Sequence, residues 1–383
     1  MTTSSTTSGS RPGAAAKVRP EAARFTIEPA ARKRLRQWLL CLIGVFALLV
    51  IGEEAFRILR FGWGSLASPV EYSATRLDRF GLRWDEAQMN TLPVNYRGRN
   101  LGAVFTTGSL GFRMADRPFA KPPGTLRVGI IGYSIDLGHG VGDDETYAMR
   151  LQRMADEAAR AGRLPPVEFL NFSSIGRQTR RQRRVYETYG VQFDLDAVML
   201  PLYPDAPVYP KPAAKPPRPQ QQVADSIETT FLGDFYLTYG RQYLRRRATR
   251  FLGWPNWSRP GPERLRDPVA IARGLIEAEL VRRIRSDGRA VIIMPLLRPL
   301  HGVATDADRA VIAAVAAEFA DDPCIRVLDT LPGLDGKITP DETVMPWDNH
   351  PDAEVHALYA DTLFPLLLPM LVDPGACRAA HPA

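Results

Sequence analysis

Cysteine and histidine are scarce, with three and five copies in 383 residues. No spacing among them resembles a zinc-ligand set, so no metal site is expected. Nucleotide loops are missing too. The glycine-rich turn at 138–142 has no lysine for a phosphate loop, and Asp143 stands where a Gly-x-Gly-x-x-Gly fingerprint starting at Gly138 needs its third glycine. The α/β-hydrolase elbow, Gly-x-Ser-x-Gly, fails at Asp136. No cofactor is therefore expected. A basic excess spread over the fold is also absent. The net charge is +7, but residues 1–37 carry eight Lys/Arg against two acids, leaving 41 basic and 40 acidic residues elsewhere. A nucleic-acid partner loses its main support.

What is present begins with a short apolar run. The Ser/Thr/Gly/Ala/Pro-rich residues 1–36 read as a disordered basic tail ending Arg32-Lys33-Arg34-Leu35-Arg36. Trp38–Gly52 follows, fifteen uncharged residues where a spanning helix needs roughly 20. The helical pattern continues through Leu59, so residues 37–59 read as a single transmembrane anchor with interfacial charges. A buried helix or a cleaved signal peptide are the alternatives, although no small-x-small cleavage site follows. The positive-inside rule puts the N-terminus in the cytoplasm and the chain after about residue 60 outside it. In that oxidising setting Cys324 and Cys377 are free to pair, but sequence alone does not establish the bond.

Residues 60–120 show little periodicity and read as a juxtamembrane segment. Leu126–Ile131 is a short β-branched run bounded by glycine, a buried parallel strand. Helical periodicity over 143–162, then apolar runs at 167–170, 195–202, 289–294 and 325–328 with helical patterns at 268–286 and 306–319, give strand–helix alternation in one open sheet. A Pro-, Arg- and aromatic-rich insertion at 206–262 interrupts it, and a last helix runs from about Asp352 to Pro365. Ser134 falls after the first strand, where open α/β sheets place ligands.

Gly132-Tyr133-Ser134-Ile135-Asp136-Leu137-Gly138-His139-Gly140-Val141 resembles block I of the SGNH (GDSL-type) hydrolases: Gly-Asp-Ser, an apolar residue, Thr, then a glycine-rich turn and valine. Asn171–Gly176 resembles block II, in which a glycine N–H joins the oxyanion hole. His350-Pro351, just before the last helix and continuing to His356 within it, resembles block V. Thr107–Arg113 is similar to a segment found upstream in membrane-anchored bacterial members; taken locally, its arginine reads as solvated. Three positions depart from the pattern. Tyr133 replaces the block I Asp, Pro204 the block III oxyanion Asn, and Asp348 stands two residues before His350 rather than three.

The resemblance implies a three-layer α/β/α, flavodoxin-like domain over 121–372, preceded by the one membrane helix and followed by a short tail at 373–383. It implies a serine esterase: Ser134 as nucleophile, His350 as base, Asp348 (or Asp341, or a carbonyl) orienting the imidazole, and the N–H groups of Ser134 and Gly176 as oxyanion donors. His356 reads as structural and His139 as a minor candidate. The implied substrates are O-acyl, chiefly O-acetyl, esters of an envelope polysaccharide or lipid, handled in the periplasm from the inner membrane beside polysaccharide-assembly proteins. The departures leave open a catalytically impaired glycan-binding or scaffold protein, or an acyltransferase.

Overall fold

The computed structural model describes residues 29–66, 92–175, 179–206, 208, 266–344, 349–372 and 377. The chain divides into two units, 1–52 and 53–383. Helix α1, Pro29–Phe61, has 33 residues and so is about 50 Å long at 1.5 Å per residue. Ala30–Leu59 is a candidate membrane span, and its large side chains from Trp38 to Ile51 are exposed. The charges that follow Gly52 are moderated by pairing one turn apart, Glu53 with Arg57 at 2.8 Å. Most of the expected insertion at 206–262 lies outside the described residues.

The second unit is built on five parallel strands: β3 Leu126–Ile130, β4 Val167–Asn171, β5 Ala197–Leu202, β6 Ala290–Pro295 and β7 Ile325–Val327. Their order is β4-β3-β5-β6-β7, the 2-1-3-4-5 order of flavodoxin-like sheets. All six residues of β5 are buried, as a strand covered on both faces requires. Helix α3, Tyr147–Arg160, sends Tyr147, Leu151, Ala155 and Ala158 into the core, and packs on the terminal helix. The three-layer α/β/α expectation therefore holds, and strand bounds shift by no more than two residues.

Other expectations change. Arg127 interrupts the supposed apolar run yet is fully buried, its guanidinium on Glu168 and on the carbonyls of Pro118, Phe119 and Phe193. The helix expected over 268–286 is two, α5 Pro268–Leu275 and α6 Ala278–Ser286, separated by extended backbone at Ile276 and Glu277. The segment expected to be irregular holds a hairpin, β1 Arg97–Asn100 and β2 Ala103–Thr106. Its turn places both Leu101 and Gly102 at positive φ, and leucine there gives no turn signal in sequence. The last helix, α9, does not stop at Pro365 but runs Ala353–Val372. Pro365 and Pro369 lie four apart on its exposed side, so the carbonyls they leave unbonded face solvent. Although α9 is apolar enough to span a membrane by length, Val355, Tyr359, Leu363, Leu367 and Leu371 are buried in the core, which makes it a core helix.

Cys324 and Cys377 form a disulfide across 53 residues, joining the start of β7 to the chain beyond α9. A Cys377→Ser substitution is expected to cost about 4 kcal/mol of stability from lost loop closure in the unfolded chain, read as a lower denaturant midpoint that reductant does not lower further.

Candidate active site

Parallel pairing puts the carboxyl ends of the strands on one edge, and the crossover direction reverses between β3 and β5. Ser134 leaves β3 at that point, opening a four-residue helix α2, Ser134–Leu137. At the first position of this helix its N–H has no intrahelical acceptor. Gly132 is packed so closely that a Cβ would lie 2.2 Å from the Asp136 carboxylate, so the glycine is obligatory. The Gly132 N–H donates to Ser173 Oγ at 3.0 Å, tying the turn to the end of β4.

His350 arrives from the other end of the chain, and its Nε2 lies 2.7 Å from Ser134 Oγ. Its backbone is held by a two-residue pairing of Thr343 with Pro351, in which the Val344 N–H donates to the His350 carbonyl. Asn349 Oδ1 accepts from the Leu300 N–H at 2.9 Å, docking this segment on the loop after β6. The His139 ring lies 4.7 Å from the His350 ring. Of the other expected site residues, Asp348 and Gly176 lie outside the described residues. Among those described, no cluster of three or more His, Cys, Asp or Glu is placed to hold a metal.

The glycine turn after Ser134 is shaped by Arg113, whose expected solvation is incorrect. Arg113 is buried and donates to the carbonyls of Val104, Leu137, Gly138 and Val141, while its Nε meets Asp143 at 2.8 Å. The guanidinium also lies 4.4 Å from the Phe105 ring. Five donors in a planar fork are needed because the turn bends its carbonyls away from any helix or strand partner. Gly138, at φ 79°, is bent there and leaves no room for a Cβ beside Arg113.

Beneath the turn sits Asp136, fully buried. One carboxylate oxygen accepts the Tyr133 N–H at 2.7 Å; the other accepts the hydroxyls of Tyr147 at 2.9 Å and Tyr203 at 2.8 Å. Burial pushes this carboxyl up to about 6 despite those three bonds. His356 is buried as well, its Nδ1 accepting the Tyr147 N–H at 3.1 Å and its ring stacked on Tyr147. Burial, reinforced by Arg113, Arg150 and His350, pushes its imidazole down to about 3, so it stays neutral. The structural reading of His356 fits this setting. Asp136 was not singled out as a site residue from sequence; the available signal was a carboxylate standing where the block I pattern has threonine.

Other strand ends complete the edge. Pro204 is buried after β5, and the next residue, Asp205, takes a forked ion pair from Arg298 after β6. His301 Nε2 stands 3.5 Å from the same carboxylate. Arg181, in the arginine-rich helix α4 (Thr179–Val185), is buried and donates to the Ile175 carbonyl at 2.9 Å. Burial lowers its guanidinium to about 10. Arg183 on the same helix pairs with Glu279 at 2.5 Å.

No family model matches the chain, and no curated protein does. Solved structures similar to it include TesA, at 15% identity and TM-score 0.37 over 64% of this chain and 99% of that one. A putative lipolytic protein of the G-D-S-L family from Desulfitobacterium hafniense DCB-2 is 11% identical, with TM-score 0.34 over 63% and 99%. A variant of Axe2, an acetyl xylan esterase from Geobacillus stearothermophilus, is 14% identical, with TM-score 0.36 over 63% and 94%. Strand order, rather than these likenesses, defines the fold.

The two buried titrating groups act on stability with opposite sign. Asp136 binds a proton more tightly folded than unfolded, so stability falls as pH rises from about 4 through about 6. Neutral His356 binds one less tightly folded, so stability rises between about 3 and 6.5. Asp136→Asn is thus expected to gain on the order of 3 kcal/mol relative to the parent between pH 4 and 7, measured as a growing difference in melting temperature. Arg113→Met, by stranding Asp143 and four carbonyls, is expected to cost about 3–5 kcal/mol in denaturant titrations.

Proposed function

We propose that this chain is a membrane-anchored SGNH-type serine esterase that hydrolyses O-acyl esters. The observation that carries the reading is the 2.7 Å contact between Ser134 Oγ and His350 Nε2, within the range for nucleophile and base. Ser134 Oγ attacks the acyl carbonyl while His350 takes its proton, then returns it to the leaving alkoxide. Water, deprotonated by His350, cleaves the acyl-enzyme and releases the carboxylic acid. The Ser134 N–H, with that of Gly176, serves the oxyanion, and Asp348 orients the imidazole.

The substrate class we favour is the O-acetyl ester of an envelope polysaccharide or lipid, reached outside the cytoplasm with residues 1–36 inside. The disulfide supports an oxidising compartment, and the basic run before α1 supports the orientation. One observation favours a second reading. Pro204 has neither an amide side chain nor an N–H to give an oxyanion, and a lost donor costs about 10²–10³ in rate. A catalytically impaired, glycan-binding member of a polysaccharide assembly would tolerate this.

Labelling of the detergent-solubilised chain by a fluorophosphonate decides between them. The esterase reading expects labelling that both Ser134→Ala and His350→Ala abolish, with p-nitrophenyl acetate hydrolysis lost in parallel. A folded wild type that does not label favours the glycan-binding reading.

A further inference from the structure

Asp136 is a buried charge that the proposed reaction does not use, and burying a carboxylate is expensive unless something else requires it. Its three partners belong to three different parts of the site. Tyr133 is the residue before the nucleophile, and its N–H is bound at 2.7 Å. Tyr203 is the first residue after β5 and directly precedes Pro204. Tyr147 opens α3 and is joined through its N–H and ring to His356, six residues beyond His350 on the terminal helix. The Asp136 carbonyl adds a fourth tie, accepting Asn171 Nδ2 from the end of β4 at 2.9 Å.

We propose that Asp136 is a positioning residue for the nucleophile: its carboxylate fixes the Gly132–Tyr133 peptide that leads into Ser134 and registers that turn against the strand end at Tyr203 and, through Tyr147 and His356, against the helix that follows the base. The proposal rests on the esterase reading for its catalytic consequence, but not for its geometry. Fixing the Gly132–Tyr133 peptide restrains the backbone one residue ahead of Ser134, from which its N–H and Oγ project. A carboxylate is suited to this because one oxygen accepts a backbone donor while the other gathers two hydroxyls; a threonine hydroxyl at this position has too few lone pairs for all three. Burial raising this group to about 6 shows that its environment does not favour the charge, as expected for a residue retained for placement rather than stability.

The test separates placement from packing. A triple variant, Asp136→Leu with Tyr147→Phe and Tyr203→Phe, removes the carboxylate together with both hydroxyls, and with them the side-chain acceptor of the Tyr133 N–H; replacing partners together by apolar groups is often neutral for stability. In the full chain in detergent it is expected to melt within a few degrees of wild type, yet to be acylated about 10²-fold more slowly, in kcat and not KM, as a misplacement of about 1 Å produces. Asp136→Asn, which keeps an acceptor for Tyr133, is expected to lose about tenfold or less. Tyr203→Phe alone, cutting only the tie to β5, is expected to lose about tenfold and keeps the test open if the triple variant does not fold. Two readouts do not depend on turnover. Exchange of the Tyr133 amide should accelerate, and the ¹⁵N signals of His350 that report its bond to Ser134 should move, in the triple variant but not in Asp136→Asn. A folded triple variant acylated within threefold of wild type, or one with an unchanged Tyr133 amide and His350 spectrum, overturns the proposal. A wild type that is never acylated overturns the esterase reading instead, and the exchange and ¹⁵N data then decide positioning by themselves.

Discussion

Parallel pairing of β3 with β4 on one side and β5 on the other is the constraint on which the rest of the second unit depends. Parallel neighbours need crossovers, and crossovers bury both sheet faces, so polar groups are driven to the strand ends. Because the strands run the same way, those ends share one edge. Ser134, Ser173, Tyr203 and Arg298 each leave a different strand there, which is how residues far apart in sequence form one polar rim. His350, from a segment that is not a strand, reaches the same place by short pairing with Thr343 and Val344.

Loops packed on such a sheet carry carbonyls that water cannot reach, and arginine answers this at both edges. At the amino edge Arg127 serves the 118–120 segment and Phe193; at the carboxyl edge Arg113 serves the turn behind Ser134. Each is held by a carboxylate, Glu168 or Asp143. A guanidinium in this role is a scaffold with charge, since each loop would otherwise bury unpaired acceptors at a cost of about 1–3 kcal/mol apiece.

The parallel sheet was legible because buried strands write continuous apolar runs, and Ser134 and the His350 segment stood out by chain order and glycine context. What escaped was non-local. Arg113 looks solvated in a list of residues because its partners, 104, 137, 138, 141 and 143, belong to other segments. Asp136 looks like a helix-start acid, and only the arrival of Tyr147 and Tyr203 makes it a hub. The hairpin turn at Leu101-Gly102 lacks the asparagine or aspartate that announces such turns. Pro365 reads as a stop signal by local rule, and what overrides the rule is the exposed face on which it lands.

The disulfide has a topological consequence for the base. Cys324 and Cys377 close a covalent loop that contains His350 and the whole of α9. The nucleophile lies outside that loop. Fraying of the terminal helix therefore returns His350 to a tether fixed at both ends rather than to a free tail, which keeps its effective concentration near Ser134 high. For the same reason a protease nick anywhere inside the loop leaves two fragments that still travel as one molecule until the bond is reduced.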